Sequence, residues 1–253
     1  METHEVATDD GYLLEMHRIP HGRLGPCAPG NNSLEPWCGG RGPVFVMTGL
    51  LADSASLVLD FPGQSLGFVL ADSGYDVWLG NTRGSIFGRK HRTLDVRSKS
   101  FWNFTFHEHA LYDMPAQIDY VLANTGQRQL LYMGISQGTL SFFAMMSEKP
   151  EYNAKRLAEA AGAYQVLAKD FTLMSLVRVL CGRVAKRVCT FLGDRLNNVG
   201  SRYINQTRIP LYLCHFPAGT SMKNVIHYGQ LVKSKRPQKF DYGASENYEV
   251  YGQ

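Results

Sequence analysis

The chain has 253 residues, a formal net charge of +4 and a hydrophobic fraction of 44%, a size that fits one large domain or a domain with an inserted cap. The apolar content supports a packed core and excludes a disordered chain, while the mild charge and the lack of any long Lys/Arg run exclude a nucleic-acid binder. No run of about 18 apolar residues is present, so no transmembrane segment is expected.

The start, Met1-Glu2-Thr3-His4-Glu5, is polar and has no signal-peptide pattern. Val6 to Ile19 reads as a hairpin about an Asp10-Gly11 turn, with partial alternation from Tyr12 onward. Residues 20–43 carry many Pro, Gly and Asn residues and form a loop. Pro43 to Met47 is a buried strand that runs into Thr48-Gly49-Leu50-Leu51. A glycine just past a strand lets a backbone N–H come close to a ligand, or simply ends the strand. Leu66 to Ala71 is a helix ending near Gly74, Tyr75 to Gly80 the next strand, and Asn81 to Gly84 the loop at its C-terminal end. Residues 85–107 are mixed, with Arg89, Lys90, His91 and Arg92 in solvent, and His107 to Leu122 is a helix.

Leu130 to Met133 is a short apolar run suited to a buried strand. Gly134-Ile135-Ser136-Gln137-Gly138 follows at once, and Leu140, Phe143, Ala144 and Met145 then recur at helical spacing. Strand, G-x-S-x-G, helix is the pattern of a nucleophile elbow, in which a strained serine is presented above the sheet at a helix N-terminus. G-x-S-x-G alone also fits a glycine-rich turn; the flanking strand and helix favour the elbow. N–H groups there stabilise an oxyanion, and with an elbow downstream the Leu50 N–H becomes a candidate donor. Alternation of strands with helices predicts a mainly parallel sheet covered on both faces, with sites at strand C-termini. Leu50, Asn81 and Ser136 all fall at such ends.

Past residue 150 the pattern changes. Ala154 to Leu180 looks helical, the basic stretch Arg178 to Arg187 reads as amphipathic, and the next strand-like run, Ile209 to Leu213, contains Pro210. This half reads as a helical cap and linker, giving a core over 1–153 and a cap over 154–253. Five cysteines occur, Cys27, Cys38, Cys181, Cys189 and Cys214, at spacings unlike a zinc site. Cys27 and Cys38 could close the loop between them, and Cys181 and Cys189 could staple the cap. Glycosylation sequons lie at Asn31, Asn103 and Asn205 and lean toward a secretory compartment.

The segments Thr8 to Leu14, His17 to Pro20, Gly49 to Ser54, Leu70 to Gly84, Phe101 to Glu108, Tyr112 to Ala116, the elbow, His215 to Ser221 and Phe240 to Gly243 together resemble the acid lipase family of α/β-hydrolases. They run in family order along nearly the whole chain. The resemblance implies an α/β-hydrolase fold with a helical cap, and hydrolysis of neutral lipid esters such as triacylglycerols or cholesteryl esters at a lipid–water interface. It implies Ser136 as nucleophile, the Gln137 and Leu50 N–H groups as oxyanion hole, and Cys181–Cys189 as the cap disulfide. It implies no metal or organic cofactor, and a secreted or lysosomal location.

The chain also departs from the family pattern. Ile135 and Thr48 stand where the family usually has histidines, Asn153 to Gly162 replaces its next core strand, and the cap is shorter. The sequence stops at Tyr251-Gly252-Gln253, before the later strands that carry the family's triad acid and histidine, so a truncated and catalytically impaired chain with an exposed sheet edge beside the elbow is expected. His107, His215 and His227, with Asp113, Asp119 and Asp241, read as structural. The alternative functions are a non-catalytic lipid-binding relative and another serine acyl hydrolase on the same fold, such as a peptidase.

Overall fold

The structure, a computed structural model, describes residues 1–23, 25, 40–154, 211, 212, 215 and 217–252. The expected cap helix over Ala154 to Leu180, the run at Ile209, all five cysteines, Asn31 and Asn205 lie wholly or mainly outside the described residues. The described parts of 1–162 and 213–253 form one compact unit.

The strands β1 (Glu2–Ala7) and β2 (Tyr12–Ile19) make the antiparallel hairpin, pairing Val6 with Leu14 and Ala7 with Leu13. Gly11 holds φ +100 in its turn, which a residue with a Cβ rarely adopts. Then come β3 (Pro43–Met47), α1 (Leu66–Asp72), β4 (Asp76–Gly80) and β5 (Lys90–His91). Sequence reading missed β5, because a two-residue strand carries no periodicity; it pairs antiparallel with β2. The described sheet runs β1-β2-β4-β3-β6, with β6 (Leu131–Gly134) at its edge. The pairs β3–β4 and β3–β6 are parallel, and β2–β4 is antiparallel.

The apolar runs expected for strands buried on both faces explain the two-sided core. Phe45 and Met47 of β3 point to one face, with Trp78, Tyr132, Met114, Ile118, Phe142 and Met145. Val44 and Val46 point to the other, with Val77, Leu79, Leu57 and Ala71. The first face is covered by α3 (Met114–Thr125) and α4 (Gln137–Glu148), the second by α1.

The helix expected over His107 to Leu122 is composite. Thr105 caps a short α2 (Phe106–Glu108) in a reciprocal capping box with Glu108, a π-helical turn follows at His109–Asp113, and α3 continues from Pro115 in its first turn to Gly126 in the left-handed region. After α5 (Glu151–Ala154), the described chain resumes with α6 (Met222–Ser234), capped by Ser221, and α7 (Ala244–Tyr251). No described helix is long and apolar enough to cross a membrane.

Arg83, in the loop after β4, is 1% exposed despite its charge. It donates to Asp113 Oδ1 at 2.7 Å and to Asp10 Oδ1 at 2.8 Å, and its guanidinium lies 4.0 Å from the Tyr12 ring. It therefore locks the hairpin turn to the π-turn. Burial works against Asp10's charge, but Arg83 holds its carboxyl below the ordinary value. Full burial pushes Asp113 the other way, from 3.8 to about 6, against the pull of the same arginine.

Candidate active site

Ser136 joins the end of β6 to the start of α4 and is exposed. Its backbone sits at φ 53, ψ −113, a conformation that costs of the order of 1–3 kcal/mol for a residue with a side chain. Both glycines of the motif are required by close approach. A Cβ on Gly134 would stand 2.7 Å from the Thr139 N, and one on Gly138 would stand 2.6 Å from the Met47 carbonyl oxygen. The turn is braced from beneath: Tyr132 Oη donates to the Gly138 carbonyl at 2.8 Å, and Thr139 Oγ1 donates to the Gly134 carbonyl at 2.8 Å.

The parallel register sets what stands beside the serine. Met47 pairs with Gly134, and the Ile135 N–H donates to the Met47 carbonyl at 3.0 Å. Both strands thus end level, and the Gly49 loop arrives against Ser136. Leu51 adopts φ 62, and its carbonyl accepts the Ala218 N–H at 2.6 Å. The Ala52 N–H closes a turn onto the Gly49 carbonyl at 3.2 Å. Among the described residues, neither the Leu50 nor the Gln137 N–H donates to a hydrogen bond. Undonated N–H groups are thus carried by Leu50, on the loop that meets Ser136, and by Gln137, the first residue of α4.

Asn81, at the C-terminal end of β4, does not touch the serine. Its side chain accepts the Ser54 N–H at 2.8 Å and donates to Ser54 Oγ at 2.9 Å and the Glu15 carbonyl at 2.6 Å. It ties the far end of the 49–54 loop to the hairpin.

The Gln137 side chain, which sequence reading passed over, is buried and hydrogen-bonded through both its nitrogen and its oxygen. Its Nε2 meets His109 Nδ1 at 2.7 Å, and its Oε1 accepts from Asn224 Nδ2 at 3.1 Å and Tyr228 Oη at 3.2 Å. The available signal was weak: Asn224 and Tyr228 share one face of an amphipathic stretch 87 and 91 residues away in sequence.

All eight histidines lie among the described residues, and none is hydrogen-bonded to Ser136. His107 lies 4.0 Å from Glu148, and His227 stacks on Phe106 and bonds the Gln238 carbonyl at 2.9 Å. Burial lowers the pKa of both. His109 is completely enclosed, and burial, aided by Arg83, holds it neutral well below 6.5. Asp119 accepts from Tyr152 Oη at 2.7 Å, and Asp241 from Asn247 Nδ2 at 2.8 Å. Asn103 is exposed and accepts from Lys223 Nζ at 2.9 Å, while Thr105 of its sequon is the buried cap of α2.

Comparison with known proteins gives matches to lipases and α/β-hydrolases. A family model described as a partial alpha/beta-hydrolase lipase region matches residues 1–60, and one described as the alpha/beta hydrolase fold matches residues 42–242. A lysosomal acid lipase/cholesteryl ester hydrolase of Macaca fascicularis is 38% identical, with the alignment covering 100% of this chain and 69% of that protein. Lipase lipl-3 of Caenorhabditis elegans is 34% identical over 99% of this chain and 69% of its own length. Among solved structures, an alpha/beta hydrolase from Novosphingobium aromaticivorans aligns with a TM-score of 0.38 at 17% identity, covering 63% of this chain and 42% of that one.

Proposed function

The chain belongs to the acid lipase family of α/β-hydrolases, and from that premise we propose that it is a serine hydrolase of neutral lipid esters, triacylglycerols or cholesteryl esters, with Ser136 as nucleophile. The observation that carries the reading is Ser136 held at φ 53, with the N–H groups of Leu50 in the loop after β3 and of Gln137 at the start of α4 undonated among the described residues. Ser136 Oγ attacks the ester carbonyl carbon and its proton passes to solvent. The carbonyl oxygen becomes an oxyanion facing the two N–H groups. Collapse expels the alcohol, and water cleaves the acyl-enzyme by the reverse route.

Serine is a poor nucleophile without a base, and no histidine of this chain bonds Ser136. We therefore propose that this polypeptide turns over slowly, retaining the catalysis of an oxyanion hole alone, about 10³–10⁴-fold over water. The same observation supports a second reading, a lipid-binding relative without turnover. Residues 1–153 are proposed as the hydrolase core and 154–253 as the reduced cap and linker. A lysosomal setting is proposed from the name of the Macaca fascicularis relative, and a secreted alternative and a lipid–water interface from the family resemblance. Hydrolysis of a medium-chain triacylglycerol emulsion by the chain and by Ser136→Ala tests the function. Slow release of fatty acid that the substitution removes supports the hydrolase; binding of the emulsion with no release by either protein supports the second reading.

A further inference from the structure

The Gln137 amide has a fixed polarity, which can be derived outward from the backbone. The Phe106 N–H can only donate, and it donates to Asn224 Oδ1 at 2.7 Å. Asn224 Nδ2 is therefore turned to the acceptors Thr220 Oγ1 at 3.0 Å and Gln137 Oε1 at 3.1 Å. Oε1 thus faces Asn224, Nε2 faces His109, and His109 Nδ1 must be an unprotonated acceptor. Both N–H donors and the carbonyl oxygen of the Asn224 side chain are engaged, and the residue is 0% exposed.

Asn224 is itself held at both ends. Its backbone N–H is capped by Ser221 Oγ at 2.9 Å, and Ser221 Oγ donates in turn to the Phe104 carbonyl. The segment before the π-turn, the first turn of α6 and the first residue of α4 are thus one connected polar unit. Gln137 directly follows the strained Ser136, and its N–H is one of the two proposed oxyanion donors. An anchor at the far end of its side chain restricts rotation of the Ser136–Gln137 peptide, and so fixes the direction of that N–H.

We propose that Asn224 is a positioning residue for the oxyanion hole, acting through the Gln137 side chain, with Tyr228 as the second donor to the same oxygen. The proposal rests on the reading of Ser136 as nucleophile. Nothing in local sequence suggests it, because the link spans 87 residues and joins neutral side chains.

The test is the second-order rate at which a fluorophosphonate labels Ser136, per folded molecule, in the full chain. In that reaction the serine Oγ–P bond forms, the P–F bond breaks, fluoride leaves and the serine proton passes to solvent. The phosphoryl oxygen occupies the oxyanion position. Asn224→Asp keeps the acceptor for Phe106 N–H and loses the donor to Gln137. It is expected to label roughly tenfold more slowly, a part of the ~10²–10³ that an oxyanion donor supplies. Gln137→Met, which keeps the backbone N–H, is expected to slow labelling equally, and Asn224→Asp on that background to add nothing.

A purely structural role would lower the folded fraction and leave the rate per folded molecule unchanged; that result, or multiplicative losses in the double variant, overturns the proposal. If Asn224→Asp does not fold, Tyr228→Phe carries the test, since it deletes only one hydroxyl. It should label about two- to threefold more slowly than the parent, as expected for loss of one of two donors, and cause no further loss in the Gln137→Met background. Labelling at the parental rate overturns the proposal. Failure of the parent chain to label at Ser136 removes the proposed function and this inference with it. A labelled parent with unaffected variants removes the inference alone.

Discussion

Gly49 stands against Ser136 so closely that a Cβ on the glycine would lie 3.0 Å from the serine Cβ and 3.4 Å from its Oγ. The loop after β3 and the elbow after β6 are therefore fitted to each other across the C-terminal ends of two paired strands. Gly49→Ala is expected to push the two loops apart by a few tenths of an ångström. Labelling of Ser136 should slow by up to about 10-fold, less than the ~10²-fold that a 1 Å misplacement can cost at a reacting centre, with a small change in melting temperature. Wild-type labelling by Gly49→Ala would show that the two loops do not act together.

Gly138→Ala should behave differently. Its Cβ would meet backbone, the Met47 carbonyl at 2.6 Å and the Thr48 carbonyl at 2.9 Å, which cannot rotate away. A stability loss of about 1–3 kcal/mol is expected in urea titration, the range for overpacking a filled site. An unchanged unfolding midpoint would mean that the β3–α4 contact is looser than the structure shows.

Removal of Arg83 should be costly, because it is buried and paired with two carboxylates. Arg83→Met would leave Asp113 buried without its cation, a situation that typically costs 3–5 kcal/mol, so the melting temperature should fall by roughly 10 °C. Arg83→Lys should not restore it, because an ammonium cannot reach Asp10 and Asp113 with the same fork. Near-parental melting of either variant would contradict the claim that this pair joins the hairpin to the π-turn.

The raised pKa of Asp113 fixes a direction for its pH dependence. The folded value of about 6 exceeds the ordinary 3.8, so its contribution is present in full below 3.8 and is lost as pH rises through about 6. The unfolding free energy of the parent minus that of Asp113→Asn should therefore fall by something on the order of 3 kcal/mol between about pH 4 and 7.5. A difference that rises with pH would mean that Arg83 outweighs burial at this site. His109 works the other way: burial lowers its pKa below 6.5, so its contribution is present above 6.5 and is lost as pH falls below it. Taking the difference against Asp113→Asn cancels that term.

Much of this arrangement could be read from local pattern. The runs at 43–47, 77–79 and 131–133 are apolar because these strands pack between helices on the two faces of the sheet, and the elbow glycine at 134 follows from contacts within a few residues. The features that escaped reading are made by distant polar groups. Arg83 looks like a loop cation until the fold brings Asp10 and Asp113 to it from opposite sides in sequence. Gln137 looks like the variable position of G-x-S-x-G until Asn224, Tyr228 and His109 close around its amide. The positive φ of Leu51 has no compositional mark, since leucine is not a residue that favours it.

The central claim is that Ser136 is a nucleophile presented to an oxyanion hole. Incubation of the chain with a fluorophosphonate, followed by mass spectrometry of its peptides, tests it most directly. The account predicts slow labelling confined to the peptide carrying Ser136 and abolished in Ser136→Ala. Labelling that persists at other residues in Ser136→Ala, or a folded parent chain that stays unmodified at saturating reagent, would contradict it.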